Sequence, residues 1–224
     1  MPSVFNMDLF DIIARVLVLL LAMPVHEYSH AAMAVRLGDD TPIQQGRLTL
    51  NPLAHLSLMG SVALLFIGFG WAKPVMVDMR NLKNPKRDMA LISIMGPLAN
   101  ILVAFVVLCF FKALLGAFGF PQTTAADSLF RILSYVIGIN LMLAVFNLVP
   151  IPPLDGSKIL AAFLPDKYYR VLMRHEGFII VLLMLLLMWP FGGRSPLMAP
   201  IMFLQGALFE FLWWITTPID LLFR

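Results

Sequence analysis

Charge is what this sequence has least of. Asp, Glu, Lys and Arg make up 13% of its 224 residues, about half the share of a globular domain. Hydrophobic residues make up 60%, and the mean hydropathy is +0.88. So few charges cannot cover a water-facing surface, which excludes a cytosolic enzyme and a disordered chain. Cysteine is nearly absent as well. Cys109 stands alone inside an apolar run, which excludes a disulfide scaffold and reads as a small buried hydrophobe. The net charge of +3 comes from dispersed basic residues, so no nucleic-acid partner is expected. The main solvent of this chain is lipid.

A spanning helix needs roughly 17 to 25 mostly apolar residues. Met89 to Phe111 offers 23 without a charge, Ile132 to Ile151 offers 20, and Gly177 to Gly193 offers 17. Ser195 to Phe223 is interrupted only by Glu210 and Asp220, with Trp213 and Trp214 as interface anchors. A first span over about Asp8 to Leu37 carries His26, Glu27 and His30 within it, and Pro24 predicts a kink there. Leu56 to Gly70 has only 15 residues, three of them glycine. Arg36 and Arg47 precede it, and Lys73, Arg80, Lys83, Lys86 and Arg87 follow it. Basic loops stay cytoplasmic, so this segment is expected to enter the membrane and return. The fold expected is an all-α polytopic membrane protein of about five transmembrane helices plus a re-entrant hairpin-like element. The N-terminus falls outside, the C-terminus in the cytoplasm, and possible strands lie at Arg47 to Leu50 and Pro74 to Val77.

Ionisable groups inside a membrane are costly and imply function. His26-Glu27-Tyr28-Ser29-His30 places two imidazoles at i and i+4 on one helical face. That spacing suits two nitrogen ligands of one Zn2+, with the glutamate between them as general base toward water. A catalytic zinc has three protein ligands and one open position. His55 and His175 fall at or beyond the ends of apolar segments and read as solvated or interfacial residues. Asp155 lies just after Pro150, Pro152 and Pro153, which must end a span there. It could cap a helix starting near Ser157 or complete the ligand set, and an orphan two-histidine site favours the second. Asn147, eight residues earlier, could reach a substrate backbone or an oxyanion. Asn100 could do so too, or hydrogen-bond between helices.

Taken together, H-E-x-x-H in a membrane helix followed far downstream by Asn147, Pro150, Pro152, Leu154, Asp155 and Gly156 resembles the site-2 protease family of intramembrane zinc metalloproteases. Gly96-Pro97-Leu98-Ala99-Asn100 resembles that family's G-P-x-A-N turn, and Gly68-Phe69-Gly70 its re-entrant hairpin region. The likeness spans about residues 20 to 165. It implies His26, His30 and Asp155 as ligands of one Zn2+ per chain, Glu27 as base, and Asn147, Asn100, Gly68 and Gly70 near the substrate. It also implies a membrane-embedded protease domain over 1–224, with a core of about 8–165, two further helices over about 175–219, and no PDZ or CBS domain. The substrate is then a transmembrane segment of another protein, cut in a site opening to the cytoplasm. A membrane metal carrier would need ligands repeated along a path, and only one cluster exists. A non-catalytic adaptor that binds membrane helices would not need an intact H-E-x-x-H.

Overall fold

Backbone surrounded by lipid must satisfy its own hydrogen bonds, and every long apolar run here becomes a helix. The computed structural model describes residues 9–67, 70–120, 123–165, 167, 168, 171, 174–187 and 195–223. Helices α1 (Leu9–Leu17) and α2 (Met23–Arg36) form one rod interrupted by a π-helical turn, Val18–Ala22. Pro24 accounts for that turn: it lacks an N–H, its ring crowds the carbonyl four residues back, and a wider turn absorbs the misfit. After α3 (Thr41–Gln44), α4 (Pro52–His55) and α5 (Leu58–Ile67) come the two longest helices, α6 (Pro85–Phe118) and α7 (Thr124–Asn147). A short α8 (Asp155–Phe163) leads to α9 (Glu176–Leu187), α10 (Met198–Ile215) and α11 (Thr217–Leu221). Helices α6, α7 and α10 share a core of Ala104, Leu108, Ile137, Leu141 and Leu212.

Among the described residues four stretches are long and apolar enough to cross a membrane: Arg15–Arg36, Pro85–Phe118, Thr124–Asn147 and Met198–Leu221. The sequence predicts five. Of the remaining expected span, 177–193, the described part is α9, 12 residues long; residues 188–193 lie outside the described residues. Helix α7 also stops at Asn147, before the prolines rather than at Ile151.

The segment after α4 does return to where it left. Leu56 and Ala72 form an antiparallel bridge, and the Lys73 N–H donates to the His55 carbonyl at 2.7 Å. Glycine permits this. A Cβ on Gly60 would collide with the Trp71 carbonyl, and one on Gly70 with the Gly60 carbonyl. The expected strands at Arg47 to Leu50 and Pro74 to Val77 do not form. Over residues 74–77 side chains take amides instead: Val75 N–H donates to Glu27 and Met76 N–H to Gln45.

At the end of α2, buried Asp39 joins two loops. Its carboxylate accepts from the Thr41 N–H and hydroxyl, from the Asp78 N–H at 2.8 Å and from the Asn81 amide at 2.8 Å. Burial alone would raise its pKa, but these donors together hold it below its ordinary value of 3.8. Because the folded value is the lower one, the stabilisation is complete above that ordinary value and is lost as pH falls through the folded value. Asp39→Asn should therefore cost about 2 kcal/mol at pH 7. It should also remove part of the wild type's acid-induced loss of thermal stability below pH 4, read by melting curves from pH 3 to 7.

Helix α10 runs in the same direction as α6. Fully buried Lys112 donates to the Trp213 carbonyl at 3.0 Å and to Asp220 at 2.9 Å, and lies 4.2 Å from the centre of the Trp213 ring. The Phe223 ring rests against Gly116. These contacts put α11 at the Phe118 end of α6, opposite the end where the basic loops gather.

Candidate metal centre

The H-E-x-x-H turn of α2 faces the first half of α6, and α6 is shaped to receive it. A Cβ on Gly96 would sit 2.5 Å from His30 Nε2 and 2.6 Å from His26 Nε2, so only glycine leaves room for the two imidazoles. Pro97 cannot donate to the carbonyl one turn back. In the same turn the Ile92 carbonyl accepts from His30 Nδ1 at 2.8 Å. The two rings meet edge to face, with centroids 4.6 Å apart.

Asp155 arrives from below through the proline-rich turn. Val149, Ile151 and Leu154 are tied in successive turn hydrogen bonds, and a Cβ on Gly156 would collide with the Leu148 carbonyl. Helix α8 begins at Asp155 itself, and no side chain caps it; the carboxylate points to the histidines instead. Asp155 Oδ2 lies 3.1 Å from both His26 Nε2 and His30 Nε2, which are 3.0 Å apart. All three residues are buried, and Lys158 stands 3.6 Å from Oδ1. Burial alone would raise the Asp155 pKa, but the two imidazoles hold its carboxyl well below the usual carboxylate range.

The protons do not suffice for this triangle. A neutral His30 that gives its Nδ1 proton to Ile92 has a lone pair on Nε2, facing a carboxylate oxygen and a second imidazole nitrogen. One proton can bridge only one edge. A shared cation satisfies all three atoms, and the group is one that could hold a metal ion. Two imidazole nitrogens and one carboxylate oxygen are also a catalytic zinc set with its fourth position open.

Glu27 is half-buried, and its Oε2 accepts from the Val75 N–H at 3.1 Å. Asn100 is fully buried one turn beyond Gly96, and among the described residues neither atom of its amide has a hydrogen-bond partner. Asn147 donates to Leu143 of its own helix. Gly70 lies against the α5 turn; Gly68 lies outside the described residues. His55 departs from expectation: it is completely buried, not solvated, with Nε2 donating to the Thr49 carbonyl at 2.7 Å. Sequence reasoning missed the steric role of Gly96, the Ile92 carbonyl and the Val75 amide. The Gly-Pro pair inside a span was the available signal for the first two.

The sequence profile of peptidase family M50 matches residues 111–190. A protein of Bacillus subtilis provisionally named zinc metalloprotease YwhC is 38% identical over 80% of this chain and 81% of its own length. The chain belongs to the M50 peptidases, the site-2 protease family. It is an integral membrane zinc metalloendopeptidase that uses one Zn2+. Rip2 of Mycolicibacterium smegmatis, also provisionally named a zinc metalloprotease, is 31% identical over 75% of this chain and 64% of its own length. A zinc metalloprotease of Methanocaldococcus jannaschii is 26% identical over 74% of this chain and 38% of its own length. No solved structure matches the chain.

Proposed function

We propose that this M50 peptidase cuts peptide bonds within or near transmembrane segments of other membrane proteins, with His26, His30 and Asp155 as its zinc ligands and Glu27 as its general base. The observation that carries the reading is the buried triangle of His26 Nε2, His30 Nε2 and Asp155 Oδ2, built from one spanning helix and the start of α8 after an unwound turn. Zinc held there supplies a Lewis acid that polarises the scissile carbonyl and acidifies water. Glu27 takes a proton from the attacking water and returns it to the leaving amine. Ile92, through His30 Nδ1, fixes the ring tautomer that leaves Nε2 free to ligate. Asn100, whose amide has no hydrogen-bond partner among the described residues, can donate to the developing oxyanion. Asn147 keeps one N–H on Leu143 and has a second to offer substrate.

The basic residues favour one orientation. Arg36, Arg47, Lys73, Arg80, Lys83, Lys86 and Arg87 gather at the metal end of the bundle, which by the positive-inside rule faces the cytoplasm. On this orientation the N-terminus falls outside, and α11, held to the far end of α6 through Lys112 and Asp220, falls on that same side. The segment between Leu56 and Ala72 enters the membrane on this reading, packed through Leu64 and Leu65 against Val18 and Leu19 of the first rod.

The test is to reconstitute the full chain with a single-span substrate in liposomes and map the cut by mass spectrometry. Cleavage inside the apolar span, abolished by chelation and restored by zinc, is expected. Cuts confined to water-exposed loops would remove the intramembrane reading.

A further inference from the structure

The amide that holds Glu27 is itself held, and the chain of contacts leads to a buried histidine. His55 is completely inaccessible, and its environment fixes its ring and its backbone separately. Nε2 donates to the Thr49 carbonyl at 2.7 Å. The Arg47 guanidinium binds the Ala54 carbonyl, and the Asn51 side chain accepts from Leu53 N–H at 3.1 Å. The turn over residues 47–55 is thus pinned by three side chains, and from it the His55 carbonyl projects to accept the Lys73 N–H at 2.7 Å. Two residues on, the Val75 N–H donates to Glu27 Oε2 at 3.1 Å. His55 and Glu27 therefore hold two amides of one short segment, at Lys73 and at Val75.

We propose that His55 and the Val75 N–H position Glu27: the histidine anchors residues 73–75, and the Val75 amide holds the carboxylate in one place beside the histidine pair. This rests on the reading of Glu27 as general base. Neither residue touches the metal ligands through a recorded bond, so their role is positioning, distinct from metal binding. Without that amide the half-buried glutamate side chain samples more rotamers, and a base displaced by about 1 Å can lose about 10²-fold in rate. The alternative role for His55, support of the local turn alone, predicts no effect on kcat that zinc content and thermal stability do not share.

The experiment uses the full zinc-loaded chain in lipid. Val75→Pro removes the N–H that donates to Glu27; Met76→Pro, one residue along, controls for proline itself. His55→Ala removes the ring anchor, and His55→Gln returns a donor to Thr49. The expected result is a fall in kcat of about 10- to 100-fold for Val75→Pro and His55→Ala, with KM, zinc content and melting temperature little changed. Met76→Pro and His55→Gln should remain near wild type. Independently of turnover, residue-resolved amide exchange should show the Val75 N–H protected in wild type and exchanging faster in Glu27→Ala. Val75→Pro turning over like Met76→Pro would overturn the proposal, as would kcat lost only together with zinc, or a Val75 amide indifferent to Glu27→Ala. Should wild type cleave no membrane substrate, the protease reading fails, while the exchange result still decides the contact.

Discussion

Replacing Glu27 by glutamine should slow cleavage of a membrane-embedded peptide by about 10²- to 10⁴-fold while leaving one zinc bound per chain. The substitution keeps size and shape. Glutamine also keeps an oxygen that can accept from the Val75 N–H, so the turn over the site need not move. The zinc ligands proposed here are three other residues, each held by contacts that Glu27 does not share: Ile92 for His30, Gly96 for both rings, and the 148–156 turn for Asp155. What the amide lacks is basicity. The comparison is made by quantifying substrate and product after reconstitution, with zinc measured on the same sample. Unaltered cleavage would remove Glu27 from the base role, and lost zinc would recast it as a support of the site.

The second large effect is at a residue with no functional group. Gly96→Ala exchanges a poor helix former for the best one, a gain of about 1 kcal/mol in an exposed helix. In α6 the methyl would instead lie 2.5 Å from His30 Nε2 and His26 Cε1 and 2.6 Å from His26 Nε2. The imidazoles must shift, and they cannot do so while both face Asp155 Oδ2. The expectation is a loss of zinc affinity of about 10- to 100-fold, comparable to removal of residues that orient metal ligands, with the helical circular dichroism retained. Competition with a calibrated chelator measures it. Affinity equal to wild type would mean that α2 and α6 sit farther apart than the structure places them.

The proposed ligand set was legible because lipid makes intramembrane polarity rare. His26, Glu27 and His30 stand out at helical spacing, and the proline run before Asp155 predicts an unwound turn at the end of a span. The three side chains do converge. Less legible was anything decided by length against local geometry. The apolar run 177–193 counts as a span by hydropathy, and its helix is described from Glu176 to Leu187; the rest of that run lies outside the described residues. Residues 74–77 look like a strand by composition, but Glu27 and Gln45 take the Val75 and Met76 amides, contacts that arise only once α2 and the loop are packed. His55 follows the same pattern. Its place at the edge of an apolar segment suggests solvent, whereas the return of the chain at Leu56 and Ala72 buries it.

Zinc K-edge X-ray absorption of the purified full chain reads the central claim most directly. One zinc per chain with two imidazole ligands and the remaining donors light oxygen atoms at about 2.0–2.2 Å is the predicted spectrum. A sulfur ligand, or a zinc shell without imidazole scattering, would contradict the assignment of His26, His30 and Asp155.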